Sequence, residues 1–238
     1  HGCYRLLTTI GSTRAVAVGR LVDYEVLRLI ARGGMGLVTE AMDAMLLRRV
    51  AVKVLAPELA ASSEAKTRFL REARAVAAVD HENILPVHAV GETRGCPYLV
   101  MPYVDGDSLR RFLERDGPLP EPELRRLGAA VARGLAAAHA RGLVHRDIKP
   151  DNILMDRERR RVWLADFGLA RAVEDHHLTR SGAMAGTPQY LSPEQAEGKR
   201  VDHRTDLFSL GSTFYAMATG RPPFEADNLI AILRRIAE

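Results

Sequence analysis

Three side chains that could move a proton and hold a metal ion stand close together in this sequence. Asn152 follows Asp147 by five residues, and Asp166 follows Asn152 by fourteen. A carboxylate can accept a proton from a hydroxyl group, and carboxylate and amide oxygens are ligands that Mg²⁺ prefers. We therefore identify one candidate proton acceptor and two candidate Mg²⁺ ligands in a short stretch of chain.

The composition is that of an ordinary globular protein. Of the 238 residues, 47% are hydrophobic and 27% are charged, so the chain can bury a core as one large domain or two smaller lobes. The net charge is +4, but the basic residues are scattered, and the cluster at 157–161 is interrupted by Glu158. Because this pattern is typical of a solvated turn, we expect no nucleic-acid partner.

The cysteines and the apolar runs bear on where the chain resides. Cys3 and Cys96 are far apart and lack C-x-x-C spacing, which favours a reducing compartment and a cytoplasmic location. The apolar runs are far shorter than the ~20 residues needed to cross a bilayer, so no membrane segment is expected within this chain. Because the chain begins with His1, we expect a piece of a longer protein, whose other parts could include a membrane anchor.

Hydrophobic patterning predicts strands in the first part of the chain and helices in the second. Strands are predicted within 22–54, 84–90 and 98–103. One helix is predicted in this first part, capped by Ser62 or Ser63. Further helices are predicted at 108–115, 121–141, 203–219 and 225–237. This order indicates an α+β fold of two lobes.

The candidate side chains lie within two longer motifs. Residues 145–152 read His-Arg-Asp-Ile-Lys-Pro-Asp-Asn, and residues 166–168 read Asp-Phe-Gly. They match the catalytic loop H-R-D-x-x-x-x-N and the metal-binding D-F-G turn, so the chain from about residue 24 onward resembles the protein kinase family. Together with Gly-Thr-Pro-Gln-Tyr-Leu-Ser-Pro-Glu-Gln at 186–195, they are most similar to the bacterial eukaryote-like Ser/Thr kinases.

The resemblance implies a two-lobed protein-kinase-like fold, with a small β-rich N-lobe that has one key helix and a larger α-helical C-lobe. It implies a leader of unknown structure at 1–23, the N-lobe and hinge at 24–104, and the C-lobe at 105–238, truncated before its last helices. Those missing helices would carry the arginine partner of Glu194. We therefore expect the Glu194 carboxylate to be unpaired and partly buried.

The resemblance also implies a separate role for each of these residues in the catalytic loop and the D-F-G turn. Asp147 would accept the proton of the substrate hydroxyl and orient its oxygen, and Lys149 would neutralise charge on the γ-phosphate. Asn152 and Asp166 would hold Mg²⁺. A turn rich in Asp and Asn would account for one of these residues but not for all four at this spacing.

Two further catalytic residues are implied in the first part of the chain. Ala-Val-Lys at 51–53 matches the third-strand motif of kinases, so Lys53 would contact the α- and β-phosphates, with Glu72 as its partner. The alternative interpretation of Glu72 is an exposed helix charge paired with Arg68 or Arg71.

The implied ATP site departs from the family pattern at two positions. In the glycine-rich pattern G-x-G-x-x-G-x-V at 31–38, Ala31 replaces the first glycine, although glycine is what lets backbone N–H groups approach phosphate oxygens. Pro102 stands where kinase hinges often have Glu, but proline keeps the carbonyl group that adenine needs. The implied ATP-binding residues are Ala31, Gly33, Gly36, Val38, Ala51, Lys53, Met101, Pro102, Val104 and Leu154.

The activation loop that precedes Ser-Pro-Glu at 192–194 contains three candidate hydroxyl groups. Thr179 is the first candidate for phosphorylation, and Ser181 is the second. Thr187 would instead contact the catalytic loop near the acceptor hydroxyl. Within the kinase family that the chain resembles, Lys149 together with Gly-Thr-Pro-x-Tyr implies Ser or Thr, rather than Tyr, as the acceptor.

The resemblance thus implies an enzyme, a Ser/Thr protein kinase that uses ATP and Mg²⁺ and is regulated by activation-loop autophosphorylation. Its partners would be proteins with Ser or Thr acceptors, and a homodimer would let one copy phosphorylate another. One alternative is a nucleotide-binding pseudokinase or scaffold, motivated by Ala31 and the missing helices. A second alternative is a small-molecule phosphotransferase, against which the Gly-Thr-Pro-x-Tyr platform for a peptide argues.

Overall fold

The computed structural model describes residues 19–167 and 188–238, which form two compact units. Within the described residues, the first unit contains 19–78 and 86–103, and the second contains 79–85, 104–167 and 188–238. The candidate hydroxyl groups of Thr179, Ser181 and Thr187 lie outside the described residues, as does most of the predicted leader.

A six-stranded antiparallel sheet is the frame of the first unit. Its strands are β1 Gly19–Leu21, β2 Tyr24–Gly33, β3 Gly36–Asp43, β4 Arg48–Leu55, β5 Ala89–Thr93 and β6 Cys96–Pro102. They lie in the order β1-β2-β3-β4-β6-β5. Residues 50–55 of β4 are all buried, which suits a central strand rich in valine. The predicted strands within 22–54 are therefore confirmed.

A tight hairpin joins β2 to β3 in the glycine-rich segment. Gly33 pairs with Gly36, so only two residues form the turn. Gly36 has φ +144°, and a Cβ atom there would lie 1.9 Å from the carbonyl oxygen of Val54 on β4. Only glycine fits where the backbones of β3 and β4 approach this closely.

The described residues of the first unit include the helices α1 Pro57–Ala60 and α2 Ser63–Ala77. The Ser62 hydroxyl group caps α2 by accepting a hydrogen bond from the Ala65 backbone N–H at 3.3 Å. The predicted helix and its cap are confirmed, whereas the one-turn helix α1 was not predicted.

One predicted strand is largely wrong. In the segment 84–90, regular pairing begins only at Ala89, the first residue of β5. Ile84 makes a single parallel bridge to Leu164 and belongs to the second unit. An apolar run of this length cannot by itself distinguish a strand from a buried connection.

The second unit is mainly helical. Its helices are α3 Leu109–Asp116, α4 Glu121–His139, α5 Pro193–Ala196, α6 His203–Thr219 and α7 Leu229–Ala237. A small antiparallel sheet is formed by β7 Gly106–Ser108, β8 Ile153–Asp156 and β9 Val162–Leu164. No helix among the described residues is long and apolar enough to span a membrane.

Helices α4 and α6 form the core that supports the catalytic loop. Leu127, Val131 and Leu135 recur at helical spacing along α4 and are buried. A Cβ atom on Gly128 would lie 2.8 Å from the ring of Phe214, so glycine allows α6 to pack closely here. The α+β class predicted from the sequence is confirmed.

Candidate active site

Asp206 on α6 fixes the backbone at the start of the catalytic loop. Its side chain is fully buried. The backbone N–H of Arg146 donates to Oδ1 at 2.6 Å, and that of His145 donates to Oδ2 at 2.8 Å. His139 Nε2, at the end of α4, lies 2.7 Å from Oδ2. A buried carboxylate is costly unless donors compensate its charge, and these groups provide that compensation.

His145 is a packing residue rather than an acid or base. It is fully buried, and its ring lies 4.4 Å from that of Phe167, measured between centroids. The Asp147 N–H donates to Nδ1 at 3.3 Å, so Nε2 carries the hydrogen and donates to the carbonyl oxygen of Ala165 at 3.0 Å. Burial lowers the pKa of His145, which favours this neutral form.

The structure brings together the side chains of Asp147, Lys149 and Asn152. Lys149 Nζ donates to both carboxylate oxygens of Asp147 at 2.8 Å. Asn152 Nδ2 donates to the backbone oxygen of Asp147 at 2.8 Å and to its Oδ2 at 2.9 Å. The Asp147 carboxylate is thereby held in one orientation, with the charge of Lys149 beside it.

The β8–β9 pairing connects the two candidate Mg²⁺ ligands. Ile153 pairs with Leu164, and next to this pair the Ala165 N–H donates to the Asn152 carbonyl oxygen at 2.9 Å. Asp166 follows immediately, with φ +62°, a left-handed conformation that is uncommon for residues other than glycine. Such conformations cluster at functional sites, where surrounding bonds maintain them.

The residues fit a Mg²⁺ site of the kind that is completed by phosphate. Both amide hydrogens of Asn152 are directed at Asp147, so Oδ1 is the amide atom that presents lone pairs to a cation. Among residues 19–167 and 188–238, no group of three or more His, Cys, Asp or Glu side chains could hold a metal by itself. Mg²⁺ commonly takes only one or two protein ligands and completes its shell with water and phosphate oxygens.

Strand register gathers the predicted ATP-binding residues of the first unit on one face of its sheet. Val38 pairs with Ala31 on β2 and with Lys53 on β4. On the next pair along the same face, Ala51 is opposite Met101. Directly opposed residues, and residues two apart on a strand, share a face. Ala31 lies in β2 beside a register shift, and its φ is not positive, so its backbone conformation does not require glycine.

Lys53 and Glu72 are both buried within the first unit, with 4% and 8% of their surface exposed. The alternative interpretation of Glu72 as an exposed helix charge is therefore wrong, because Glu72 lies on the buried face of α2. Burying two opposite charges in one small unit is costly unless they compensate each other. This supports the predicted pairing of Lys53 with Glu72.

The remaining predicted ATP-binding residues are distributed over both units. Gly33 begins the hairpin turn, and Pro102 ends β6 opposite Val50. Val104 and Leu154 belong to the second unit, where both are half-buried and Leu154 pairs with Ser108.

Comparison with known proteins identifies the family. Residues 24–237 match the family model described as "Protein kinase domain". The chain belongs to the protein kinase family. The family and the kinase fold predicted from the sequence are confirmed.

Several similar proteins are bacterial kinases. The chain is 42% identical over 229 residues to the probable serine/threonine-protein kinase PknB of Bifidobacterium longum, covering 92% of this chain and 33% of that protein. It is 42% identical over 214 residues to PknB of Mycobacterium leprae, covering 88% of this chain and 34% of that protein. The chain thus spans about a third of the length of these relatives.

The fold also matches solved kinase domains. The crystal structure of the PknI kinase domain of Mycobacterium tuberculosis has a TM-score of 0.72 and 32% sequence identity, and the match covers 90% of this chain and 81% of that one. The kinase fold is therefore found both by sequence and by three-dimensional comparison.

Glu194 of the kinase domain has a partner that sequence reasoning missed. The Thr205 hydroxyl group on α6 donates to Glu194 Oε1, so the expectation of an unpaired carboxylate is wrong. Burial raises the pKa of Glu194, but hydrogen bonds from Thr205, from its own backbone and from Ser192 outweigh burial and hold that pKa below its ordinary value. A Thr eleven residues away carries no sequence signal for this contact.

A second missed cluster fixes Tyr103, which follows β6 in the kinase domain. Arg28 Nη2 donates to the Tyr103 hydroxyl oxygen at 2.8 Å, and the Arg49 guanidinium carbon lies 4.0 Å from the ring centroid. Both arginines pair with Glu40, which is 4% exposed. This cluster can be recognised only from the strand register, in which Arg28 and Glu40 are directly opposed.

Proposed function

We propose that this kinase domain transfers the γ-phosphate of ATP to Ser and Thr hydroxyl groups of proteins. The observation that carries the proposal is the Asp147 carboxylate, held by Lys149 and Asn152 at 2.8–2.9 Å. Phosphoryl transfer requires little covalent work from the protein, and depends on positioning and on compensation of charge. The printed names of the relatives, serine/threonine-protein kinases, support the choice of acceptor.

In the proposed reaction, Asp147 orients the acceptor hydroxyl group and receives its proton. The fixed orientation of the carboxylate suits this task, because the acceptor oxygen must point at the phosphorus atom. Lys149 carries a positive charge that is already placed beside the reacting groups, and we expect it to serve the γ-phosphate when ATP is bound.

Asn152 and Asp166 would hold Mg²⁺, and Lys53 would contact the α- and β-phosphates with Glu72 as its partner. When bound, Mg²⁺ neutralises negative charge on the phosphate oxygens. The apolar residues Val38, Ala51 and Leu154 would contact the adenine ring, and the Pro102 carbonyl group and Val104 N–H would bind its polar edge.

Regulation and partners follow from the same proposal. Thr179, and next Ser181, would accept phosphate in an autophosphorylation that one copy in a homodimer performs on another, and Thr187 would contact the catalytic loop. We propose protein substrates and a cytoplasmic location for this domain. The scaffold alternative loses part of its motivation because the backbone conformation of Ala31 in β2 does not require glycine.

The test is transfer from γ-labelled ATP with Mg²⁺ to the chain itself and to a generic basic protein. Asp147→Asn should keep ATP binding and lower the transfer rate by about 100- to 10,000-fold, because the proton acceptor is lost. Asp105→Asn removes an exposed carboxylate that pairs with Arg157, and it should transfer at the wild-type rate. Unchanged turnover in Asp147→Asn would refute the catalytic assignment.

The role of Lys53 is tested separately with Lys53→Met. We expect transfer to be suppressed, because the α- and β-phosphates lose their cation. Wild-type activity in this variant would remove Lys53 from the phosphate site. Mapping of the phosphorylated residues in the wild-type chain decides among Thr179, Ser181 and Thr187.

A further inference from the structure

The residue before the catalytic Asp147 has an unfavourable backbone conformation. Arg146 has φ +66°, in the left-handed region. For a residue with a side chain this conformation costs about 1 kcal/mol or more, so it persists only where other groups hold it. On its N–H side, Arg146 donates to Asp206.

The carbonyl side of Arg146 is held by a different element. Gln195 Nε2, from α5, donates to the Arg146 carbonyl oxygen at 2.8 Å. At the other end of the same peptide group, the Asp147 N–H donates to His145 Nδ1. The peptide group that leads into Asp147 is therefore held at both ends.

The amide of Gln195 cannot easily turn away from this carbonyl group. Its Oε1 accepts a hydrogen bond from the Ser192 backbone N–H at 3.1 Å. Ser192 Oγ lies 3.0 Å from Thr205 Oγ1, and both residues are fully buried. With its oxygen committed to Ser192, the amide must direct Nε2 towards Arg146.

We propose that Gln195 is a positioning residue for Asp147, through which the turn at 192–195 controls the orientation of the catalytic carboxylate. This inference rests on the proposed function, since it assigns Gln195 to the positioning of the proposed base. The pattern Ser-x-x-Gln would by itself predict only a helix capping box, which is also present in α5. The bond to Arg146 is an additional task of the same side chain.

Gln195→Glu separates the two tasks. A Glu at the third helical position is a standard member of a capping box, so α5 keeps its cap. The carboxylate, however, cannot donate a hydrogen bond to the Arg146 carbonyl group. We expect kcat to fall roughly 10- to 100-fold, because small misplacements of reacting groups have effects of this size. The KM for ATP should change by less than about twofold.

Glu197→Gln is the matched control. It makes the reverse chemical change two residues further along, at an exposed side chain that pairs with Lys199. We expect wild-type kcat and KM, because Glu197 contacts neither Arg146 nor Ser192 in the described part of the chain.

Amide hydrogen exchange provides a readout that does not depend on transfer. Peptides that cover 143–152 should exchange faster in Gln195→Glu than in the wild type, and at the wild-type rate in Glu197→Gln. Should Gln195→Glu fail to fold, Gln195→Met, which keeps the length of the side chain without its donor, is expected to show the same faster exchange.

The outcomes distinguish the inference from the proposed function. If Gln195→Glu has wild-type kcat and wild-type exchange at 143–152, Gln195 only caps α5 and the inference is overturned. A fall in kcat with faster exchange, at constant KM for ATP, supports it. If the wild-type chain shows no transfer that depends on Asp147, the proposed function fails, and the exchange measurement still decides whether Gln195 holds the loop.

Discussion

The catalytic loop of the second unit and the candidate nucleotide face of the first unit are held in place by different kinds of interaction. Around Asp147, the backbone is fixed by side chains from distant parts of the sequence, among them Asp206 and Gln195. On the sheet face that carries Lys53, position is set by strand register, with Val38 and Leu99 as the opposed neighbours.

This difference predicts which kinds of substitution should destabilise each region. A loop held by a few buried polar side chains depends on each of them, because a lost acceptor leaves buried donors without partners. A sheet held by many backbone hydrogen bonds tolerates side-chain exchange on its face, and is vulnerable where backbones approach too closely for a side chain.

Asp206→Asn should be the most damaging conservative change in the second unit. The Asp206 carboxylate serves the backbone N–H groups of His145 and Arg146 as well as His139, and an amide offers only one acceptor oxygen. We expect the free energy of unfolding to fall by about 3–5 kcal/mol, as when one partner of a buried charge network is removed. Urea unfolding measures this loss, and transfer should fall with it.

Asp202→Asn is the control for Asp206→Asn. Asp202 caps α6 by accepting a hydrogen bond from the Arg204 N–H, and Asn is an equally good capping residue. The same chemical change one turn away should therefore leave stability within about 0.5 kcal/mol of the wild type. Equal losses in the two variants would contradict the special role of Asp206.

In the first unit, the backbone contact at Gly36 should be the vulnerable point. Gly36→Ala places a methyl group 1.9 Å from the Val54 carbonyl oxygen at a residue with φ +144°, so β3 and β4 must separate locally. We expect a loss of about 2–4 kcal/mol, from overpacking together with backbone strain. Thermal unfolding of the variant measures it.

Gly33→Ala is the matched variant at the other end of the same two-residue turn. No atom of the described residues lies within 4 Å of a Cβ atom at Gly33, so stability should change by less than about 1 kcal/mol. Because the resemblance to kinases implies that Gly33 contacts ATP, the KM for ATP should nevertheless rise. A loss of stability equal to that of Gly36→Ala would show that the turn, and not the contact with β4, limits this hairpin.

The contrast also explains how far sequence reasoning could reach. The helix at about 203–219 was predicted close to the bounds that the structure shows, because its periodicity is a local signal. The grouping of Asp147, Lys149 and Asn152 was predicted because motif spacing encodes it. Short-range patterns were therefore sufficient for both.

The contacts that were missed share a physical cause. Glu194 with Thr205, and Gln195 with Arg146, join residues that are distant in sequence and whose types are common in many contexts. The placement of Ile84 failed for the same reason, since its single bridge to Leu164 leaves no periodic pattern. Such contacts are consequences of the folded packing, which local propensity does not determine.

The smallest expected effect is a loss of stability at acidic pH, and it should arise mainly from His145 in the catalytic loop. Burial lowers the pKa of His145, so below about pH 6.5 the unfolded chain binds a proton that the native loop does not. The contribution of His145 to the free energy of unfolding is therefore fully present above the unfolded pKa. Below that pKa, the free energy of unfolding should fall by about 1.4 kcal/mol per pH unit. Unfolding measured between about pH 7 and pH 5.5 tests this slope.

His145→Phe and His88→Gln assign that slope to one of the two regions. A Phe keeps the packing against Phe167 but loses the hydrogen bonds of the imidazole ring, so the variant should be less stable at neutral pH. Because Phe cannot bind a proton, the variant should also lose less stability on acidification. The pKa of His88, in the first unit, is also lowered by burial, but this side chain is partly exposed and water reduces the cost of its charge. His88→Gln should therefore change the pH dependence of the free energy of unfolding less than His145→Phe does. If that pH dependence is unchanged in His145→Phe, protonation of another group destabilises the protein in acid.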